Sequence, residues 1–395
     1  MTKFRFLTSG ESHGQCLNAI IEGVPSGFII DKNIINTDLR RRQVGYGRGG
    51  RMAIETDNAQ IKSGVRFGVS TGAPISLEIQ NKDWENWEIS MSPDPVNFED
   101  GYIQQIVKSR EITRIRPGHA DFAGAIKYGH LDIRNILERS SARETATRVA
   151  VGAVAKCMLA AFSIEGFSHV TQIGKVKADN KDLLYQTLKI KAENSDLRCA
   201  DDVAYEKMKE EIDTAKENGD TLGGNFEVVF ENLPVGLGSF VHWDRKLDGL
   251  LAQAVMSIPA VKSVEIGRGH EVAELLGSEM HDEVFYENWK YVRRTNNAGG
   301  LEGGMTNGEN LIIKASMKPI PTMKKPLDSI DIISNESYKA HFERSDVCAV
   351  PACAVVAESM AAIVLVNALL EKFGGDSYQE IRCNFDNYMN YMKKR

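Results

Sequence analysis

The chain has 395 residues and a net charge of −6, enough length to bury a sizeable core and too acidic a balance for a protein built as a whole to hold nucleic acid or an anionic membrane. A content of 42% hydrophobic and 26% charged residues excludes a disordered or fibrous chain, so any basic site must be local. Six cysteines (Cys16, Cys157, Cys199, Cys348, Cys353 and Cys383) include no Cys-x-x-Cys pair. That pattern argues against a metal site or a disulfide framework and for reduced thiols in a cytoplasm. The opening MTKFRFLTSGESHG lacks an apolar stretch, so no signal peptide is expected.

In chain order, Gly10-Glu11-Ser12-His13-Gly14 comes first. Its glycines predict a tight loop where an imidazole can reach a ligand, although a lone histidine is more often structural. Arg40 to Met52 then carries five arginines and no acid. Gly45, Gly47 and Gly50 satisfy Gly-x-Gly-x-x-Gly, but a dinucleotide turn needs a strand before it and a helix after it, and the flanks lack both patterns. An RNA-binding arginine-glycine tract and a plain surface loop are the other readings. The functional one is a mobile loop whose guanidinium forks converge on carboxylates or phosphates and which orders when ligands bind.

Arg116-Pro117-Gly118-His119-Ala120-Asp121 predicts a turn that fixes His119. Arg139-Ser140-Ser141-Ala142-Arg143-Glu144-Thr145 fits a capping box between Ser141 and Glu144, and the helix start it opens is suited to a phosphate. An all-round apolar helix should run from about Ala142 to Phe162. The segment 181–219 is charged and peripheral in character. Within it, Tyr205, Met208, Ile212 and Ala215 predict one amphipathic surface helix stopped at Gly219. Asn225 to Phe230 predicts a strand with Phe226, Val228 and Phe230 on one side. Gly299 to Met305 and Lys318 to Thr322 read as a close-approach loop and a stiff turn bearing one cation. Arg344-Ser345-Asp346 precedes a second apolar helix, from about Pro351 to Phe373. Glu358 near its centre favours a core helix over a membrane span. The two helices, each behind a polar cluster, suggest pseudo-repeated halves in one α/β unit over 1–395.

Taken together in this order, eight segments resemble the chorismate synthase family. They are GESHG at Gly10, RRQVGYGRGGRM ending at Met52, RPGHAD at Arg116, RSSARET at Arg139, MSIPAVKSVEIG at Met256, GGLEGG at Gly299, KPIPT at Lys318 and RSDVCAVPACAVVAES at Arg344. The resemblance implies an α/β sandwich of central apolar helices between antiparallel sheets, assembled as a homotetramer. It implies a lyase that eliminates phosphate from 5-enolpyruvylshikimate 3-phosphate to give chorismate and requires reduced FMN. NADPH reduces the flavin in some members, and Arg42 and Arg48 are candidates to meet it.

Carried over residue by residue, Arg42, Arg48, Arg51, Arg116, Arg143 and Arg344 match positions at the substrate. His13 matches the proton donor to the leaving phosphate, and His119 a histidine beside the flavin. Asp346, with Ser12 and Ser141, matches the group that helps move a proton at the flavin. Arg139, Ser140, Ser141, Pro259, Ala260, Gly303, Lys318, Pro319, Ile320, Pro321, Thr322 and Arg344 match cofactor contacts.

Overall fold

The computed structural model describes residues 4–49, 56–180, 183–288, 290–343 and 345–394. Twice the chain lays down an antiparallel sheet and then a long apolar helix. In the first pass, Arg5–Ser9 (β1), Cys16–Glu22 (β2), Ala59–Ile61 (β3) and Ile75–Gln80 (β4) pair in the order β1-β2-β4-β3. In the second, Glu165–Ile173 (β5), Val176–Lys177 (β6), Gly224–Glu231 (β7), Val261–Ile266 (β8) and Leu311–Met317 (β9) pair in the order β8-β9-β7-β5-β6.

Alternation decides which face of each strand turns inward. Leu17, Ala19 and Ile21 of β2 are buried while Ile20 is exposed, and Leu311, Ile313, Ala315 and Met317 of β9 are all buried. Phe226, Val228 and Phe230 of β7 enter the main core as expected. Val229 points to the other face, where it packs with Phe167, Leu188 and Ala200.

Between the sheets lie the two apolar helices, Thr145–Ala160 and Val350–Phe373. The first packs on β2 and β4, the second on β5 and β7, and each packs on the other. This is the predicted sandwich. One core runs from Phe4 to Phe385. The helices cross closely enough that a Cβ on Gly152 would stand 2.3 Å from that of Ser359, so the crossing point requires glycine. Val350–Phe373 is the one helix among the described residues long and apolar enough to cross a membrane, and it is buried in the protein.

Glu358, in the middle of that helix, is 1% exposed. Arg41 grips it with both terminal nitrogens at 2.9 Å, and Lys156 and the Ser168 hydroxyl complete its shell. Burial alone would raise the carboxyl pKa, but Arg41 and Lys156 outweigh it and hold the group well below the usual range. A buried charge is tolerable when paired and hydrogen-bonded in this way.

Three expectations change. Arg40 to Gln43 is no loop: it is the last turn of the helix Lys32–Gln43. The first central helix starts at Thr145, behind a short 3-10 turn over Ala142–Glu144, and the capping box does not close. The Ser141 hydroxyl accepts from the Arg143 N–H, while the Glu144 carboxylate pairs with Arg148 at 2.9 Å. Lastly, 181–219 holds two helices, Tyr185–Asn194 and Asp202–Glu217. Met208 and Ile212 belong to the main core, and Glu193 clamps Arg41 and Arg198, so the segment is more integrated than its charge suggested.

Candidate active site

A cavity of about 440 Å³ opens where the starts of both central helices meet the loops behind β1 and β9. Most of the residues singled out from sequence line it: Ser12, His13, Arg42, Arg48, Arg116, His119, Ser140, Ser141, Arg143, Pro259, Ala260, Lys318, Ile320, Pro321, Thr322 and Asp346.

One wall is cationic. Arg42 comes from the end of Lys32–Gln43 and Arg143 from the turn before the first central helix. A single carboxylate, Asp57, bridges them: its Oδ2 accepts from Arg42 Nη2 at 2.9 Å and its Oδ1 from Arg143 Nη1 at 2.5 Å. Asn81 Oδ1 accepts two further bonds from Arg143, at 3.1 and 2.9 Å. Burial pushes the Asp57 pKa up, but the two guanidinium groups pull it below its ordinary value. Arg42 is shifted down from the usual arginine range, by burial first and also by Arg143 and Arg48. Two arginines thus share one negative charge. Arg42 Nε is buried with no hydrogen-bond partner, a donor awaiting an acceptor.

The loop behind β1 supplies His13. Its turn depends on Gly10, at φ +102°, where a Cβ would collide with the Cys16 carbonyl at 2.3 Å. His13 Nδ1 lies 2.8 Å from Glu138 Oε1, and its backbone N–H donates to Glu138 Oε2 at 2.8 Å. The ring stacks on Trp87 with centroids 3.8 Å apart. Ser12 is buried beside it and accepts from the Ser141 hydroxyl at 3.3 Å.

Opposite stands the Pro117-Gly118 turn. His119 Nδ1 lies 2.6 Å from Asp121 Oδ1. Arg116 holds the same carboxylate through Nε at 2.8 Å and Nη2 at 2.9 Å. Burial raises the Asp121 pKa; bonds from His119 and Arg116 overcome this and hold it well below the carboxylate range. Lys318 ties the two sides of this end by donating to the Gly118 carbonyl at 2.5 Å. Asp346 is engaged too, by Arg48 Nη1 at 2.9 Å and by the Gly49 N–H at 2.6 Å. Apolar groups, among them Ile258, Pro259, Ala260, Met317, Ile320 and Val356, line the remainder.

The remaining candidates fall elsewhere. Arg139 does not line the cavity; its guanidinium donates to the Thr8 and Gly10 carbonyls and to the Thr8 hydroxyl, which secures the end of β1. Pro319 also stays out of the lining, and Gly303 sits in the hairpin between Leu301–Glu302 and Met305–Thr306. Arg51, Met52 and Arg344 lie outside the described residues. Sequence reasoning missed Asp57, Asn81, Trp87 and Glu138. Asp121 and Glu138 sat inside or beside motifs and could have been flagged as partners for nearby histidines, whereas Asp57 and Asn81 carry no local signal.

Comparison with known proteins identifies the family. The family model for chorismate synthase matches residues 4–370. The chain is 54% identical over 397 residues to the chorismate synthase of Geobacter sulfurreducens, covering 98% of this chain and 99% of the relative. It is 54% identical over 386 residues to that of Carboxydothermus hydrogenoformans, with 98% of each covered. A solved structure described as a crystal structure of chorismate synthase matches with a TM-score of 0.79 at 43% identity, over 99% of both chains. Folded as a helix-centred sandwich around one cationic, two-histidine cavity, the chain belongs to the chorismate synthase family, the lyases that convert 5-enolpyruvylshikimate 3-phosphate to chorismate in the last step of the shikimate pathway.

Proposed function

We propose that this cavity carries out the elimination with reduced FMN bound against its apolar wall and the substrate held by the Arg42–Arg143 pair. The observation that carries the reading is the Asp57-bridged pair itself. It has one more positive charge than negative and a buried donor, Arg42 Nε, without an acceptor, in a site meant for one phosphate and two carboxylates. The residues present also fit a flavin. A flat ring system suits the surface made by Pro259, Ala260, Met317 and Ile320, and its phosphate suits the cationic end at Lys318. When bound, reduced FMN supplies the electron-rich ring that makes loss of phosphate from C3 and hydrogen from C6 accessible.

The chain's own groups then bind, orient and move protons. Arg42, Arg48 and Arg143 neutralise the substrate. His13 gives a proton to the departing phosphate, which needs one as its C–O bond breaks. His119, fixed by Asp121, stands at the flavin end and hydrogen-bonds there. Asp346, with Ser12 and Ser141, holds the proton that originates at C6. The apolar wall excludes water from the bond being broken.

A nicotinamide nucleotide that reduces the flavin in place would meet Arg42 and Arg48. The assignment to the cytoplasm rests on the family's biosynthetic role and on six cysteines that form no disulfide. Assembly as a homotetramer is supported by apolar side chains left uncovered: Leu7 and Trp243 are each 78% exposed, and Phe240 and Val241 lie beside Trp243. The deciding experiment is an anaerobic assay with reduced FMN and 5-enolpyruvylshikimate 3-phosphate. Chorismate should form; none formed by folded protein would refute the reading.

A further inference from the structure

We infer that Glu138 is the positioning residue of His13: it fixes the ring's tautomer and plane and stabilises its protonated form, while Trp87 holds the opposite constraint by covering the ring face. This rests on the donor role proposed above for His13. The case is geometric. Glu138 is 2% exposed and spends both oxygens on one residue, Oε1 on the ring Nδ1 and Oε2 on the backbone N–H, each at 2.8 Å. Two bonds from one carboxylate to the main chain and the side chain of the same histidine leave the ring little freedom. Because an ionised carboxylate only accepts, Nδ1 must carry a hydrogen, and Nε2 becomes the nitrogen through which a proton can pass to a cavity ligand.

Trp87 closes the remaining degree of freedom. Its ring stacks on His13 at 3.8 Å and 23°, and the guanidinium groups of Arg110 and Arg134 lie over the same indole at 4.1 and 4.9 Å. Arg134 also donates to Glu138 Oε1 at 2.9 Å and to Glu343 at 3.3 Å. Among the described residues, the charged groups near His13 include Glu138 and Arg134 on one helix, Arg110 over Trp87, Glu343 paired with Arg134, and Arg48, Arg143 and Asp346 lining the same cavity.

The second histidine shows why this matters. His119 has a carboxylate partner too, but Arg116 grips Asp121 through three donors, its Nε, Nη2 and backbone N–H. That carboxylate is shared between the imidazole and the guanidinium. Among the described residues, Arg134 bonds Glu138 through Nη1 and also pairs with Glu343. The two histidines are held differently: His13 by a carboxylate that also takes its own backbone N–H, His119 by one that Arg116 shares.

The test uses full-length protein with bound FMN. Exchange of the imidazole C2 hydrogen, followed by peptide mass spectrometry across pH, reads the pKa of His13 and His119 separately and without reference to turnover. In Glu138→Gln, which keeps an acceptor of the same shape, the His13 midpoint should fall by about one unit while that of His119 stays put. The alkaline limb of the kcat profile should move down with it, and KM for the substrate should change by less than about threefold. Glu138→Asp should restore the midpoint at least in part, and Trp87→Phe should keep it. A His13 midpoint that stays within about 0.2 unit of wild type in Glu138→Gln overturns the inference. A midpoint that falls while the kcat profile stands still supports the pairing and removes His13 from the donor role, which separates the two claims.

Discussion

Replacing Asp57 by asparagine probes the cationic wall directly. The substitution keeps the shape and one acceptor oxygen but removes the charge shared by Arg42 and Arg143. Each bond to that carboxylate is charge-assisted, at 2.9 and 2.5 Å, and bonds of this kind contribute about 1.5–3 kcal/mol each. Asparagine can keep only one of them, and its NH₂ group must face a guanidinium donor. All three side chains are buried, with Asp57 and Arg143 5% exposed and Arg42 4%, so little solvent can relieve the two like charges. Breaking a buried pair from one side costs about 3–5 kcal/mol, and the loss expected here lies in that range.

That loss should be conditional. A phosphate in the cavity brings the negative charge that Asp57 supplied. Asp57→Asn should melt about 4–6 °C below wild type without ligand, and millimolar inorganic phosphate should raise its melting temperature more than it raises that of wild type. Thermal melts with and without phosphate, read by intrinsic fluorescence, make the comparison. Equal melting temperatures, or an equal phosphate response in the two proteins, would refute the idea that Asp57 serves as the internal counter-ion of an anion site.

Further outcomes follow from other parts of the fold. His13→Ala and His119→Ala should each lower kcat by roughly 10²-fold, measured by chorismate formation under anaerobic conditions with reduced FMN; two variants with wild-type turnover would remove the proton-donor role of His13 and the flavin-side role of His119. Gly152→Ala should destabilise the protein by about 1–3 kcal/mol in chemical denaturation, because its new methyl group meets Ser359 at 2.3 Å in the packed centre. Glu343 should make stability depend on acid. Burial raises its pKa, but His341 first, then Arg134 and Arg116, bring it down to about 2 from 4.5. A carboxyl depressed on folding contributes stability above its unfolded pKa and loses it as pH falls through the folded one. Wild type should therefore weaken between pH 4.5 and about 2, and Glu343→Gln should flatten that part of the curve.

Much of the architecture was legible in the sequence. Both central helices declare themselves through apolar residues on every side, and Phe226, Val228 and Phe230 declare their strand through alternation. Patterns of period 3.6 and 2 are local, so they survive without knowledge of the fold. The site was legible only as motifs. Ser12, His13, Arg116 and His119 stand out because glycine and proline bracket them. Asp57 and Asn81 do not, since their significance lies in what the sheet carries them to, across distances that no local spacing encodes. Arg139 shows the converse. It stands inside a motif, in the last turn of the helix Arg134–Ser140, yet its guanidinium donates to the Thr8 and Gly10 carbonyls and does not line the cavity. Arg51 and Arg344 belong to the same motif set and lie outside the described residues.

Three successive arginines show most plainly why composition could not resolve the site. Read as a string, Arg40, Arg41 and Arg42 form one basic cluster. On a helix each residue turns about 100° from the last, so neighbours face different surroundings. Arg40 is exposed to solvent. Arg41 reaches inward to Asp38, Glu193 and Glu358, and so joins its helix to the second central helix through a buried carboxylate. Its pKa is raised well above the ordinary arginine value: burial lowers it, and the attraction of Glu358 and Asp38 more than compensates. Arg42 faces the cavity with one donor unmatched. The second of these is the anchor of the third. A bond from Arg41 to Glu358 fixes the last turn of Lys32–Gln43 against the centre of the protein, and that turn fixes where Arg42 stands. The apolar helix tolerates a glutamate at its centre because that charge holds an arginine, and through it the turn that presents Arg42 to the cavity.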